Sequence, residues 1–476
     1  MTTSYLWHAE DVIRAVRGNS LQEQAWGARG VSIDSRTVEK GDLFIALAGP
    51  AHDGHDHVAA AFAAGASAAI VARQPAQVPS DAPLIFVSDT LTALQDLGRA
   101  GRARARGKII AVTGSVGKTS SKEMLRLCLS AAGYTYANPG SFNNHWGLPL
   151  SLANLPPDAD YGVFELGMNH AGELTALSRM AQPHIALITN VEAVHLEFFA
   201  SVEAIADAKA EIFAGMGGNG IAVLNRDNGH YARLTAAAKQ TGLKKILSFG
   251  EDGKADARLV DYAVTREGCA VNANINGSTI HYAIGAPGAH LVRNSLGVLL
   301  AATAAGADID LCAAALARYK LPQGRGVRET IALQDGGNLT LIDESYNASP
   351  VATRAAIDVL GAITPDNGGR RLLALGDMRE LGATSPALHA GLADAAVAAK
   401  IDAVYCCGDM MRYLYDALPE NMRGAHAPDA ATLAPIVAAA VRDGDVVTVK
   451  GSKSMHMEIV IDAIKKNDKE PHKKAS

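Results

Sequence analysis

One short segment constrains the fold of this chain more than any other. The apolar run Ile109 to Val112 leads directly into Thr113-Gly114-Ser115-Val116-Gly117-Lys118-Thr119-Ser120. This order predicts a buried strand, a tight glycine turn and a helix start, where backbone N–H groups can surround phosphate oxygens. Lys118 would supply a mobile positive charge, and the hydroxyl of Thr119 could bind Mg²⁺. Val112 replaces the first glycine of the strict phosphate-loop pattern, which leaves a plain strand–helix turn as the alternative, but we expect a nucleoside triphosphate here.

Apolar runs of similar length recur along the chain, with helical patterns between them. They lie at Leu43 to Leu47, Ile70 to Val71, Leu84 to Val87, Val163 to Leu166, Ile185 to Val191, Ile221 to Leu224, Leu339 to Asp343, Arg371 to Leu375, Ala403 to Cys407 and Asp445 to Val449. Strands that alternate with helices predict parallel sheets joined by crossover helices. We therefore predict an α/β protein with three domains, at residues 1–107, 108–320 and 321–464, and a polar, disordered tail at 465–476. The stretch Arg99 to Arg106 is predicted to be a solvated helix end or linker, with a phosphate-binding patch as the less favoured alternative.

Composition limits the class of protein further. The 476 residues fit roughly three domains, and a net charge of −5 argues against a nucleic-acid partner. Five cysteines without CxxC spacing predict free thiols in a reducing compartment. The N-terminus lacks a signal-peptide pattern, and no run of about 18 apolar residues occurs. We expect a cytoplasmic monomer without membrane insertion.

Three side chains are candidates for a metal site because they follow strands of the second block. Ligands of open α/β sheets bind beyond the carboxyl ends of the strands. Thr119 and Glu165 offer the oxygen ligands that Mg²⁺ prefers, and His195 follows a further apolar run. Taken singly, Glu165 would more often be a solvated strand-end carboxylate, and His195 an ordinary surface or core histidine.

Lys209 lies in an unusual position for a charged side chain. The segment Ser201 to Met216 predicts a helix capped by Ser201. Lys209 falls on its apolar stripe, four residues after Ile205. Because an uncompensated buried ammonium is costly, the lysine must reach an edge, pair with an acid, or be chemically altered, for example by carbamylation with CO₂. The residues alone favour pairing or snorkelling.

Eight motifs in order along the chain resemble those of the Mur ligases. They are TGSVGKTS, FELGMNHAGE, NVEAVHLEFF, ADAKAEI, YKLPQGRG, DESYNASP, LGDMRELG and KGSKSM, between residues 113 and 455. The first block adds SIDSRTVEKGDLFIALAGPAHDGHDH, which resembles the uridine-nucleotide-binding domain of two family members. SFNNHWGLP, DESYNASP, and LGDMRELG followed by His389 resemble the member that adds D-alanyl-D-alanine. The DNPR motif of the sibling that adds the third residue is absent, and the nearest text is Pro365-Asp366-Asn367-Gly368.

The resemblance implies a fold, cofactors and substrates. The three domains would be a uridine-nucleotide-binding α/β domain, a central phosphate-loop ATPase-like domain and a C-terminal Rossmann-like domain. The cofactors would be ATP and two Mg²⁺ ions, with Lys209 carbamylated, which reverses the preference drawn from the residues alone. The substrates would be UDP-N-acetylmuramoyl-tripeptide and D-alanyl-D-alanine, joined through an acyl phosphate.

The resemblance also implies residue roles. The ATP site would comprise Thr113, Gly114, Ser115, Val116, Gly117, Lys118, Thr119, Ser120, Asn294, Arg325, Asp343, Tyr346 and Asn347. Arg325 would reach the γ-phosphate from across the domain cleft, and Asp343 would bind the ribose. The metal ligands would be Thr119, Glu165, His195 and Lys209, and the catalytic groups Lys118, Lys209, His195 and Arg325. The substrate site would comprise Ser35, Arg36, Asp53, Gly54, His55, Asn143 and Asn144. Weaker candidates for a site residue, with no role assigned, are Lys450, Ser452 and Ser454 of the third domain.

Alternatives remain open at this stage. His52, His55 and His57, with Asp53 and Asp56, could form a zinc cluster, although the resemblance favours a nucleotide-pocket loop. The chain could be the sibling ligase or a folylpolyglutamate synthase. From other classes, it could be a phosphate-loop switch that hydrolyses ATP or GTP without forming a bond, or a non-catalytic scaffold.

Overall fold

A computed structural model describes residues 5–20, 25–49, 52–79, 81–265, 267–334 and 336–466. The chain divides into two compact units, Met1–Val191 with Ala206–Tyr319, and Glu192–Ile205 with Lys320–Ser476. The three predicted domain boundaries therefore stay a prediction. The predicted tail is wrong at its start, because Lys465 ends a helix, and residues 467–476 lie outside the described residues. In the described part of the chain, no helix is long and apolar enough for a membrane crossing.

The first block is built on a small, mainly parallel sheet. Within the described residues its strands are ordered β2-β7-β6-β5-β4, and β2 pairs antiparallel at one edge. Leu43, Ile45, Ile70 and Ile85 are buried in its core, as their apolar runs predict. The elements are β1 (Trp7–His8), α1 (Ala9–Val16), β2 (Asn19–Ser20), β3 (Gly27–Ala28), β4 (Val31–Ser32), β5 (Leu43–Ile45), a 3₁₀ turn (Gly54–His57), α2 (Val58–Ala63), β6 (Ala68–Val71), β7 (Leu84–Phe86) and α3 (Thr90–Arg104).

The arginine-rich stretch at the end of α3 is not the solvated segment that its charge predicts. Arg102 is only 8% exposed, and its guanidinium donates to the carbonyl oxygens of Ala181 at 2.6 Å and Gln182 at 2.9 Å. Arg104 stacks on the ring of Trp7, with 3.5 Å from its guanidinium carbon to the ring centroid. The prediction is wrong for these two residues because backbone carbonyls and an aromatic face offset their desolvation.

The second block contains the longest sheet, in the order β16-β15-β14-β13-β12-β11-β8-β10-β9 within the described residues. Strands from β9 to β14 pair in parallel, as predicted, whereas β14, β15 and β16 pair antiparallel. The purely parallel prediction is therefore wrong for this edge. The overlooked signal is Asn276-Gly277, where both φ angles are positive (53° and 87°), because such a pair forms a tight hairpin turn.

The elements of the second block are β8 (Lys108–Thr113), α4 (Lys118–Ser130), β9 (Thr135–Ala137), α5 (Gly147–Ala153), β10 (Tyr161–Glu165), α6 (Glu173–Ala181), β11 (Ile185–Ile188), α7 (Val202–Ala210), a 3₁₀ helix (Glu211–Gly215), β12 (Ile221–Asn225), α8 (Tyr231–Gln240), β13 (Lys245–Gly250), β14 (Ala257–Val264), β15 (Cys269–Ile275), β16 (Ser278–Ile284), α9 (Ala289–Ala304) and α10 (Ile309–Leu316).

The third block forms a separate sheet with the order β17-β18-β22-β19-β20-β21 in the described part of the chain. Only β17 runs antiparallel. The elements are β17 (Val327–Ala332), β18 (Asn338–Glu344), α11 (Pro350–Gly361), β19 (Arg371–Gly376), α12 (Ser385–Ala390), α13 (Leu392–Ala398), β20 (Ala403–Cys407), α14 (Met411–Ala417), β21 (Arg423–Ala427), α15 (Ala430–Ala440), β22 (Val446–Lys450) and α16 (Glu458–Lys465), with 3₁₀ turns at Gly382–Thr384, Glu420–Met422 and Lys453–Met455. The α/β class is confirmed. The predicted free thiols are confirmed as well, since all five cysteines are buried and none forms a disulfide.

Candidate active site

The glycine loop joins β8 to α4 in the predicted order. Gly117 has a φ of 85°, and a side chain there would run into the amide of Asn294, which places Asn294 against the loop. Asn190 stabilises the loop through two hydrogen bonds. Its backbone carbonyl oxygen accepts from the N–H of Ser115 at 3.0 Å, and its side-chain oxygen accepts from the N–H of Val116 at 2.9 Å. Lys118 folds back over the turn, with Nζ 2.8 Å from the Gly114 carbonyl oxygen. The sequence did not indicate the part played by Asn190.

The end of β10 brings together two of the predicted metal ligands. Glu165 is 1% exposed, and its Oε2 accepts from the hydroxyl of Thr119 at 2.7 Å. Its Oε1 accepts from the side-chain amide of Asn143 at 2.7 Å. The carboxylate is therefore not the solvated group that strand ends usually carry. Hydroxyl and carboxylate oxygens are the ligands that Mg²⁺ prefers, so these residues fit a magnesium ion.

Lys209 is buried on α7, as its position in the apolar stripe predicts. Ser201 caps this helix, with its hydroxyl oxygen 3.2 Å from the backbone nitrogen of Ala204. The helix is shorter than predicted, since α7 ends at Ala210 and continues as a 3₁₀ helix. Lys209 is 2% exposed, which rules out snorkelling, and within the described residues no carboxylate pairs with its amine. The preference drawn from the residues alone, pairing or snorkelling, is therefore wrong. Burial, followed by the charge of Lys118, lowers the pKa of Lys209 well below its usual value.

His195 belongs to the second compact unit, in the segment Glu192–Ile205. Its Nδ1 is hydrogen-bonded to the carboxylate of Glu380, a residue of the LGDMRELG motif. Both residues have positive φ angles, 56° and 64°, and the backbone N–H of Glu197 donates to the Glu380 carbonyl oxygen at 3.2 Å. Such strained backbone persists only where surrounding contacts hold it. The LGDMRELG motif contains Glu380, but the sequence does not predict that this residue contacts His195.

The predicted ATP-binding residues of the third block form a compact cluster. Asp343 is 3% exposed, and its carboxylate accepts from the backbone N–H of Gly324 at 3.2 Å and from the hydroxyl of Ser345 at 2.6 Å. It thereby shapes the turn that carries Arg325, whose guanidinium carbon lies 4.2 Å from the ring centroid of Tyr346.

Lys450 makes further contacts with the same cluster. Lys450 Nζ donates to the Asn347 carbonyl oxygen and to Glu344 Oε2, each at 3.0 Å. Ser452, another of the weaker candidates, accepts from the backbone N–H of Arg379 through its hydroxyl at 2.9 Å. Ser454 lies exposed in the adjoining 3₁₀ turn.

The histidine-rich loop of the first block is organised around one buried side chain. His55 is 4% exposed, with Nδ1 2.6 Å from Asp53 Oδ1 and Nε2 accepting from the backbone N–H of Ala72 at 2.8 Å. Both ring nitrogens are thus engaged within the protein. No group of three or more His, Cys, Asp or Glu suited to a metal exists among the described residues, which removes support for the zinc alternative. Ser35 and Arg36 follow β4, and Arg36 pairs with Asp34 at 2.6 Å.

Comparison with known proteins decides the family. Three family models match in order: "Mur ligase family, catalytic domain" at residues 28–102, "Mur ligase middle domain" at 112–302, and "Mur ligase, glutamate ligase domain" at 329–453. The UDP-N-acetylmuramoyl-tripeptide–D-alanyl-D-alanine ligase of Rickettsia prowazekii is 37% identical over 91% of this chain and 94% of its own length. The chain belongs to the Mur ligase family.

Solved structures agree with this assignment. MurF from Acinetobacter baumannii is 30% identical, with a TM-score of 0.81 over 97% of this chain and 99% of that one. MurF from Thermotoga maritima in complex with ADP is 28% identical, with a TM-score of 0.74 over 92% and 97% of the two chains. The resemblance drawn from the motifs is confirmed for family and fold, whereas the roles of individual Mur ligase residues stay predictions.

The first prediction concerns the carboxylate at the end of β10. We expect the Glu165→Ala variant of this Mur ligase to need a Mg²⁺ concentration about one to two orders of magnitude higher for half-maximal activity. This is the usual loss of metal affinity when a side chain that supports a metal site is removed. Activity titrated with Mg²⁺ at saturating substrate would measure the shift. Glu173→Ala, which removes a partly exposed carboxylate on α6, is the matched control. An unchanged Mg²⁺ requirement in Glu165→Ala would remove this residue from the metal site.

One buried histidine, His389, should make the folding stability of this protein depend on pH. His389 is fully buried, its Nε2 accepts from the backbone N–H of Met378 at 3.0 Å, and its Nδ1 donates to the Ser385 carbonyl oxygen at 2.7 Å. Burial lowers the pKa of His389 and outweighs the opposing effect of the Ser385 carbonyl. An unfolded histidine binds a proton below about pH 6.5, whereas the folded protein resists protonation. Folding stability should therefore fall as the pH drops below that value.

Denaturant unfolding on either side of about pH 6.5 would measure this loss. The His389→Gln variant should show a flatter dependence, whereas His281→Gln, which alters an exposed histidine on β16, should follow the wild type. Equal slopes in all three proteins would show that His389 does not cause the effect.

Proposed function

We propose that this protein is an ATP-dependent ligase that joins D-alanyl-D-alanine to UDP-N-acetylmuramoyl-tripeptide, giving the pentapeptide precursor of peptidoglycan. The observation that carries the proposal is similarity to ligases with that name, including those of Rickettsia prowazekii, at 37% identity over 91% of this chain, and Escherichia coli, at 36% identity over 92%. The ADP bound to the Thermotoga maritima relative supports an adenine nucleotide. The contacts among Thr119, Glu165 and Asn143 beside the glycine loop agree with a site for phosphoryl transfer.

The chemistry follows from the poor reactivity of a carboxylate toward an amine. Its oxygen is a poor leaving group, so the terminal carboxylate of the tripeptide first takes the γ-phosphoryl group of ATP. The amine of the dipeptide then attacks the acyl phosphate, and phosphate leaves from a tetrahedral intermediate. Phosphoryl transfer onto an anion brings like charges together, and Lys118 and Arg325 would offset this repulsion. No nucleophilic side chain is needed.

Metal ions would supply further neutralisation of the phosphate charge. Thr119 and Glu165 fit one Mg²⁺ through their oxygens, and His195 with Lys209 would help to hold a second. A lysine amine coordinates Mg²⁺ poorly because the ion prefers oxygen. Carbamylation of Lys209 would provide that oxygen, and the reaction requires the neutral amine that its lowered pKa favours.

The decisive experiment measures phosphate release from ATP and Mg²⁺ with the tripeptide substrate, with and without D-alanyl-D-alanine, and identifies the product by mass. Release that depends on both substrates and yields the pentapeptide would establish the function. Activity that requires the dipeptide precursor and a diamino acid would indicate the sibling ligase instead. Turnover indifferent to all these substrates would favour a nucleotide switch. The cytoplasmic location and the monomeric state stay predictions, which cell fractionation and light scattering would test.

A further inference from the structure

A buried lysine in α4 has no part in the reaction described above. Lys122 lies one turn beyond Lys118 and is 0% exposed. Its Nζ donates to the carbonyl oxygens of Asn138 and Gly140, both at 2.8 Å, and pairs with Glu123 Oε1 at 2.8 Å. Burying an ammonium is costly unless several partners compensate it. Two of those partners belong to the same short loop, so the lysine holds that loop against the nucleotide-binding helix.

The loop in question, residues 138–146, leads from β9 to α5 and is tied to Glu165 at two points. Asn138 Oδ1 accepts from the backbone N–H of Glu165 at 3.3 Å, and Asn138 Nδ2 donates to the Phe142 carbonyl oxygen at 3.3 Å. Asn143 Nδ2 donates to Glu165 Oε1 at 2.7 Å, and its carbonyl oxygen accepts from the N–H of Gly167 at 2.8 Å. Lys122 therefore secures the start of a loop whose middle orients the Glu165 carboxylate.

We propose that Lys122 is a positioning residue for Glu165. It holds loop 138–146 in the shape that allows Asn143 to orient the Glu165 carboxylate. The inference rests on the proposed role of Glu165 as a Mg²⁺ ligand beside the glycine loop.

The chain offers a matched control for a merely structural role. Arg102 is also a buried cation of the first compact unit and also donates to two backbone carbonyls, of Ala181 and Gln182 at the end of α6. Its contacts do not include the glycine loop, Glu165 or loop 138–146. Lys122→Met and Arg102→Met therefore remove similar stabilising contacts, but only the first disturbs Glu165.

The test uses the full chain and two measurements for each variant: thermal unfolding, and calorimetric binding of ADP with and without Mg²⁺. We expect both variants to unfold at lower temperature. In Lys122→Met, the gain in ADP affinity on adding Mg²⁺ should shrink about tenfold, the effect of losing one charge-assisted hydrogen bond. ADP binding without Mg²⁺ should stay within about twofold of the wild-type value. Arg102→Met should keep wild-type values for all binding constants.

Two further variants keep the inference testable if Lys122→Met does not fold. Lys122→Arg retains the charge and should recover part of the Mg²⁺ effect, whereas Asn138→Ala leaves Lys122 intact and should reproduce part of the loss. If Lys122→Met and Arg102→Met lose only stability, or if Asn138→Ala binds ADP and Mg²⁺ like the wild type, Lys122 is structural and the inference is overturned. Should the wild type itself fail to ligate, the proposed function falls, but the ADP measurements still decide whether Lys122 positions Glu165.

Discussion

Lys118→Ala is expected to abolish ligation, with kcat lowered by about three orders of magnitude, the scale on which preorganised charges at a reacting group contribute. Lys118 is the first residue of α4, and its Nζ lies 2.8 Å from the carbonyl oxygen of Gly114. The ammonium is thus held directly over the turn whose N–H groups would surround the phosphates. Because charge moves from the γ-phosphate to the β-phosphate in the transition state, its loss should reduce kcat more than ATP affinity.

Phosphate release and pentapeptide formation by the variant would measure this effect, together with ADP binding. Lys108→Ala is a suitable control, because Lys108 is exposed at the opposite end of β8 and its removal should leave turnover unchanged. Ligation by Lys118→Ala at the normal rate would show that this loop does not bind the reacting nucleotide.

Lys209→Ala should have the second largest effect, a loss of roughly two orders of magnitude or more in kcat, if its carbamate is a metal ligand. The loss should not come from unfolding. Lys209 is 2% exposed, and within the described residues no acid pairs with its amine, so the fold gains little from its charge. The shorter alanine side chain also leaves space where the Lys209 carbamate would lie. A small carboxylate such as acetate should enter this space, replace the missing oxygen ligand and restore part of the activity.

Carbamylation itself can be observed without an activity assay. Wild-type protein equilibrated with ¹³C-bicarbonate should show a carbamate carbon resonance that is absent from Lys209→Ala. Lys239→Ala, which alters an exposed lysine on α8, should retain it. A wild-type protein with full activity and no carbamate resonance would contradict the proposal and leave the burial of Lys209 unexplained.

Features that depend on neighbouring residues were predictable from the sequence. The glycine loop between β8 and α4, the apolar strands, the Ser201 cap and the burial of Lys209 each follow from a pattern spanning a few residues. Their positions after predicted strands also indicated Thr119 and Glu165 as candidate ligands, and the structure brings their side-chain oxygens to 2.7 Å although the residues lie 46 positions apart.

Only the tertiary structure decided which distant side chains meet. Glu380 contacts His195 across 185 positions of the chain, and Asn143 contacts Glu165 across 22. Charge patterning suggested solvated surface for Arg102, yet the α6 carbonyls bury it. The physical reason is that local patterns are set by backbone geometry and by burial of one face, whereas the partner of a polar side chain depends on how whole elements pack. The role of a buried charge such as Lys122 can be inferred only once the tertiary structure shows which carbonyl oxygens accept its hydrogen bonds.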